Sequence, residues 1–225
     1  RFMSDVYCIV EGYTEQTFMR DTLAPYLAEK ACFLHARLIG TPGHKGGVVT
    51  FARFANDARI LLKQSSYTML SSMFDYFRLD ASWPGMKDIQ LAHASGRELS
   101  PEEIETILSQ ATKNALHTLY PNLDVQRRCI PYFSMHEFEA LLFSDVRILG
   151  DMLPLDGNKL CSIMAEYGGN PEKINTNRAP SIILIDMYNA YKKTIHGCTI
   201  ADSIGIPRIR EQCSCFETWI ASLLE

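Results

Sequence analysis

The chain has 225 residues, 47% hydrophobic and 21% charged, which places it with the soluble globular proteins and allows one large domain or a core with an appendage. A formal net charge of −4 gives no global basic footprint and weighs against a simple electrostatic binder of nucleic acid, though not against a metal-dependent enzyme whose acids await cations. No apolar run reaches membrane-spanning length, the start Arg1-Phe2-Met3-Ser4-Asp5 lacks the pattern of a signal peptide, and seven irregularly spaced cysteines argue against a disulfide framework; the expectation is a cytoplasmic protein without a membrane partner.

The run Val6-Tyr7-Cys8-Ile9-Val10 is β-branched and apolar, and it ends at Glu11 and Gly12 where a helical spacing begins. Strand, tight turn and helix follow, with Glu11 at the carboxyl end of a buried parallel strand, where open α/β sheets bind ligands. Gly12 permits the sharp turn. Glu15, one helical turn on, points back toward Glu11, and two such oxygen donors suit a hard cation such as Mg²⁺, although an acid near a helix start is also favoured by the dipole alone. Thr14 reads as the N-cap, and the helix runs from about Glu15 to Lys30 with Pro25 kinking it.

Ala31 to Ile39 reads as a second strand that delivers Gly40-Thr41-Pro42-Gly43-His44-Lys45-Gly46-Gly47 to the edge holding Glu11. The loop lacks the Lys-Ser/Thr ending of a P-loop; Lys45 can reach a phosphate or a developing charge, or be a loop lysine without a role. A helix over Val48 to Lys63 and a strand over Tyr67 to Phe74 follow, and Asp75 ends that strand as Glu11 ends the first. Right-handed crossovers make the sheet parallel and bring both strand ends to one edge. Tyr76 to Gly96, with Trp83-Pro84-Gly85 at its centre, reads as a loop long enough for a lid or a partner surface.

Ser100-Pro101-Glu102-Glu103 is a helix start, and that helix reaches about Leu119. Arg127 to Ser134 reads as the fourth strand. In His136-Glu137-Phe138-Glu139-Ala140-Leu141-Leu142-Phe143, a helix places Phe138, Leu141 and Leu142 on the buried stripe and puts His136 and Glu139 on one side as a unit; an amphipathic helix with polar flanks is the plainer reading. Ser144 to Glu225 looks mostly helical, with Arg178, Lys192, Lys193, Arg208 and Arg210 as basic candidates for phosphate contact. His196-x-Cys198 with Cys213-x-Cys215 offers zinc ligands at unusual spacing. The organisation expected is an α/β core over 1–144 and a mainly helical portion over 145–225 packed on it.

Val10-Glu11-Gly12-x-Thr14-Glu15, Met73-Phe74-Asp75-Tyr76 and the stretch His136 to Phe143 resemble a bacterial family of uncharacterised proteins with a Toprim-like core. Tyr191-Lys192-Lys193, Ile206-Pro207-x-Ile209-Arg210 and Cys213-x-Cys215-Phe216-x-x-Trp219 are similar too, so the likeness spans nearly the whole chain. It implies a mostly parallel sheet flanked by helices, related to nucleases of the overcoming-lysogenization-defect kind. Glu11 and Asp75 are then Mg²⁺ ligands, with Mn²⁺ as substitute, and Glu15 is the second glutamate. The usual Asp-x-Asp is not met, because Phe77 stands at the second position, and Glu139 is the candidate to supply the missing ligand. The implied activity is phosphodiester hydrolysis of DNA or RNA in phage defence with an ABC-type ATPase as partner; the residues expected to carry catalysis are Glu11, Asp75 and Glu139, with His136 as an acid, a base or a support for the ligands and Lys45 for phosphoryl charge, and self-association stays open. A degenerate Toprim subunit without catalysis and a nucleotidyl transferase are the alternatives.

Overall fold

Four parallel strands carry the fold. The computed structural model describes residues 4–40, 49–174 and 178–225, and in it β1 (Ser4–Val10), β2 (Cys32–Leu38), β3 (Met69–Asp75) and β4 (Cys129–Ser134) form one sheet in the order β2-β1-β3-β4. Every pairing is parallel. Helices cover such a sheet on both faces, so its strands read as continuous apolar runs rather than alternating ones; from Leu70 to Asp75 every residue of β3 is buried. The chain steps from β1 outward to β2 and then returns past β1 to β3. The strand order therefore reverses between β1 and β3, and the crevice outside their carboxyl ends is the place where open α/β sheets bind ligands.

The first crossover is a helix with an irregular middle. α1 (Tyr13–Phe18) passes through a π-helical turn, Met19–Leu23, into α2 (Ala24–Ala28). Pro25 has no N–H to return to the preceding turn, and a wider turn that binds the Ala24 N–H to the Met19 carbonyl lets the helix continue past it. Thr14 is not the cap: Gly12 takes that position, and the Thr14 hydroxyl lies 3.3 Å from that of Thr194 instead.

α3 (Phe51–Leu62) and α5 (Pro101–Leu119) follow the expected spacing. α5 begins with a complete capping box, in which Ser100 accepts from the Glu103 N–H and Glu103 accepts from the Ser100 N–H, so two orphan donors are satisfied reciprocally. The Tyr76 to Gly96 stretch is not a continuous loop. It holds α4 (Met86–Ala94), and Trp83 is fully buried, with its ring edge-on to Phe51, Phe74 and Phe133 at centroid separations of 5.6, 5.6 and 5.8 Å. Its indole N–H donates to Thr112 Oγ1 at 2.9 Å, so the large side chain is buried without an orphaned donor.

A short α6 (Val125–Arg128) leads into β4 and ends in a buried guanidinium. Arg128 donates to the carbonyls of Leu62, Ser65, Thr68 and Leu123, which satisfy the buried guanidinium while the Asp124 carboxylate favours its charge. Beyond β4 the chain is helical: α7 (Val146–Met152), α8 (Gly157–Glu166), α9 (Pro180–Met187), α10 (Cys198–Ile204), α11 (Ile206–Gln212) and α12 (Ser214–Leu224). α12 is fixed to the sheet by Trp219, which stacks on Tyr132 at 4.5 Å and donates to Ser71 Oγ at 2.9 Å. Phe216 is buried beside it, and each such side chain contributes about 1.5–3 kcal/mol of burial. No helix among the described residues is long and apolar enough to cross a membrane.

Candidate functional site

β1 and β3 are in register, with Val10 beside Met73, so Glu11 and Asp75 leave neighbouring strands at nearly the same level. That is the crevice where the strand order reverses. Glu15, on the first turn of α1, is buried at the same place, and its Oε2 sits where a side chain on Gly12 would stand: a Cβ there would lie 2.9 Å from it. Glycine at position 12 thus serves the carboxylate as well as the turn.

The fourth acid arrives from beyond β4. The stretch after Ser134 is not the expected α-helix: Phe138–Asp145 forms 3-10 turns and is buried from Phe138 to Ser144. Burial all round, rather than on one stripe, removes the two-sided pattern on which the helical reading relied. Glu139 is fully buried, with Tyr191 donating to its Oε1 at 3.5 Å. A π-helical turn, Lys193–Gly197, brings in the cation that ties the acids together. Lys193 Nζ lies 3.1 Å from Glu15 Oε1 and 3.2 Å from Glu139 Oε2, and its field also reaches Asp75 and Glu11. Arg78, just past Asp75, stands 3.7 Å from Glu11 Oε1 and 3.8 Å from Glu137 Oε1. Glu137 Oε2 also accepts from the Ser181 N–H in the first turn of α9.

Five carboxylates therefore face two cations, and most of them are out of water. Burial pushes the carboxyl groups of Glu11 and Glu139 above their ordinary values and Asp75 well above it, against the lowering effect of Lys193 and, for Glu11 and Asp75, of Arg78. Burial alone works to lower the Lys193 ammonium, but Glu15, Glu139 and Asp75 outweigh it and hold that group raised. Asp75 Oδ1 is buried without a hydrogen-bond partner among the described residues, and Glu139 Oε2 faces the Lys193 ammonium at 3.2 Å. A buried, unsatisfied carboxylate oxygen is costly, and the cost is relieved either by taking a proton, which burial favours here, or by meeting a cation, for which these oxygen donors are of the hard type.

Of the residues expected at the site, Glu15 and Glu139 share the Lys193 ammonium, and Glu11 and Asp75 lie within its field. His136 goes elsewhere: its charged neighbour is Glu137, burial lowers its pKa, and it lines a cavity of about 700 Å³ whose wall includes none of those four acids. The proposed pairing of His136 with Glu139 on one helical face does not form. Lys45 lies outside the described residues. The zinc grouping does not assemble among the described residues either: Cys198 donates to the Thr14 carbonyl, Cys213 meets Ser144, and His196 Nδ1 accepts from the Lys192 N–H. Arg178, Arg208 and Arg210 are paired with Asp186, Glu211 and Glu217. The sequence assigns no role to Arg78, which follows a strand-end acid by three residues, or to Tyr191, which stands only as part of the Tyr191-Lys192-Lys193 motif.

A second acidic grouping lies beside α12. Glu102, Glu172 and Cys215 bring ligand atoms within 4.8 Å of one another, a set that could in principle coordinate a metal ion. Glu172 is already engaged, accepting from the Cys215 N–H at 2.9 Å, the Phe216 N–H at 3.0 Å and the Ser214 hydroxyl at 3.2 Å. It thereby caps the first turn of α12, while burial raises the Cys215 thiol and disfavours the thiolate that binds metals.

No curated protein and no solved structure matches the chain. The model of the family described as a domain of unknown function, DUF4276, matches residues 10–224, and the chain belongs to that family.

Proposed function

We propose that this chain is a Mg²⁺-dependent hydrolase of the Toprim type that cuts phosphodiester bonds in nucleic acid. The observation that carries the reading is that Lys193 bridges Glu15 and Glu139 within reach of the strand-end acids Glu11 and Asp75, with Asp75 Oδ1 buried and without a hydrogen-bond partner among the described residues. Glu11 and Asp75, on adjacent rigid strands, would hold the ion, with Glu15 and Glu139 completing its oxygen shell; Glu139 stands in for the aspartate that Phe77 replaces. A bound Mg²⁺ supplies charge stabilisation to the phosphoryl group and eases loss of a proton from water. Lys193 balances the acids and presents an ammonium toward an incoming phosphate. Arg78, half-exposed at the rim, can exchange its loose contacts with Glu11 and Glu137 for a phosphate oxygen. Tyr191 holds Glu139 by hydrogen bond. The resemblance extends the proposal to a cytoplasmic role in phage defence beside an ABC-type ATPase.

One observation favours a second reading, a charge-balanced subunit without catalysis: the Lys193 ammonium already bridges Glu15 and Glu139. The test is cleavage of labelled DNA and RNA with Mg²⁺, alone and with the ATPase partner, by wild type and Glu11→Gln. The hydrolase reading expects metal-dependent cutting that the variant loses. Equal activity in the two proteins excludes it, and absence of both cutting and metal binding supports the non-catalytic subunit.

A further inference from the structure

The acids of the crevice have large, water-facing neighbours along the chain. Tyr13 follows Glu11 by two residues and is 70% exposed; Phe77 follows Asp75 by two and is 60% exposed. A single exposed hydrophobic residue is ordinary. Consecutive Cα atoms are about 3.8 Å apart, so the Cα of each of these residues stands within about 8 Å of the Cα of its acid.

Among the described residues, the cations at this edge are already engaged. The chain carries a net −4, and of its nearby basic groups Lys193 and Arg78 already face carboxylates. Duplex binding depends on neutralising many phosphates. An unpaired strand has another handle, since its bases can stack on aromatic side chains whatever their sequence.

We infer that the substrate of the acid centre is an unpaired nucleic-acid strand whose bases stack on Tyr13 and Phe77. The inference rests on the hydrolase reading for its chemistry and adds the substrate class. A protein partner could also cover an exposed rim, but two aromatic rings flanking a phosphate-directed centre match bases spaced along a strand.

The test is fluorescence anisotropy of the full chain with a fluorescein-labelled oligonucleotide of mixed sequence, single-stranded or as a duplex, with Ca²⁺ replacing Mg²⁺. Single strand should bind at least about tenfold more tightly than duplex, and Tyr13→Ala and Phe77→Ala should each weaken it by roughly tenfold. Phe77→Trp should keep the affinity and Phe77→Leu should lose it; both rings are exposed, so unchanged melting temperatures report intact folds. No binding, equal affinity for duplex, or wild-type affinity in Phe77→Leu overturns the inference, the last outcome pointing to an apolar docking surface for a protein. Mn²⁺ calorimetry on the same samples separates the two readings. Metal binding without strand binding removes this inference alone, whereas strand binding without metal binding removes the hydrolase reading and leaves a single-strand binder.

Discussion

Replacing Lys193 by methionine keeps the length of the side chain and deletes the one charge that touches both Glu15 and Glu139. The contacts removed are 3.1 and 3.2 Å long, and the Glu139 side chain is only 1% exposed. At an effective dielectric constant of about 20, each contact of that length is worth roughly 5 kcal/mol of attraction before desolvation is subtracted. Deleting one partner of a buried pair costs about 3–5 kcal/mol. Glu139 limits the loss, because burial already favours its neutral form and it can discharge by taking a proton. The expectation is therefore about 3 kcal/mol, which at this chain length lowers the melting temperature by roughly 6–12 °C. Differential scanning calorimetry of wild type and Lys193→Met, with and without Mg²⁺, reads the effect. The ion should restore much of the lost stability in the variant, since it supplies the missing positive charge; saturation at a hundred times Kd contributes about 2.7 kcal/mol. A variant that melts with wild type in the absence of metal, or that gains nothing from Mg²⁺, would refute the view that these carboxylates are charge-loaded.

Three further outcomes follow from the same geometry. The pKa values of Glu11, Asp75 and Glu139 are raised by burial, so the folded state binds more protons than the unfolded one and their contribution is lost as pH rises from the unfolded carboxylate range through the raised values. Denaturation across pH 4–8 should show wild type losing stability relative to Asp75→Asn as pH increases, and Mg²⁺ should flatten that difference; a constant gap would contradict the assignment. Gly12→Ala places a Cβ 2.9 Å from Glu15 Oε2 and should weaken Mn²⁺ binding by roughly 10–100-fold while leaving the fold, as circular dichroism and calorimetry can check. Glu172→Ala removes the acceptor for two N–H groups of α12 and should cost about 1–3 kcal/mol without changing Mn²⁺ affinity, which separates the cap from the crevice.

The parts of this structure that were legible in the sequence are those where neighbouring residues decide the outcome. β1 and β3 announced themselves as apolar runs stopped by Glu11 and Asp75, and Ser100-Pro101-Glu102-Glu103 specified the start of α5 through capping alone. The failures lie where tertiary contacts overrode local pattern. Pro84 and Gly85 made the Trp83 region look like a surface loop, but the hydrophobic gain of burying an indole beside Phe54 and Phe74 outweighs turn composition. The 3-10 segment from Phe138 has no solvent face, so it carries no period to read. Lys193 looked like one basic residue among several; its meeting with Glu15 and Glu139 depends on a π-helical turn far along the chain, which no local spacing reveals.

The central claim is that the carboxylates at the β1/β3 crevice hold a divalent cation. It is tested most directly by isothermal titration of Mn²⁺ into wild type and Asp75→Asn, a nearly isosteric change at the buried, unsatisfied oxygen. The account predicts that wild type binds the ion and that Asp75→Asn, though folded and more stable without metal, does not; equal binding by both proteins, or none by wild type, would contradict it.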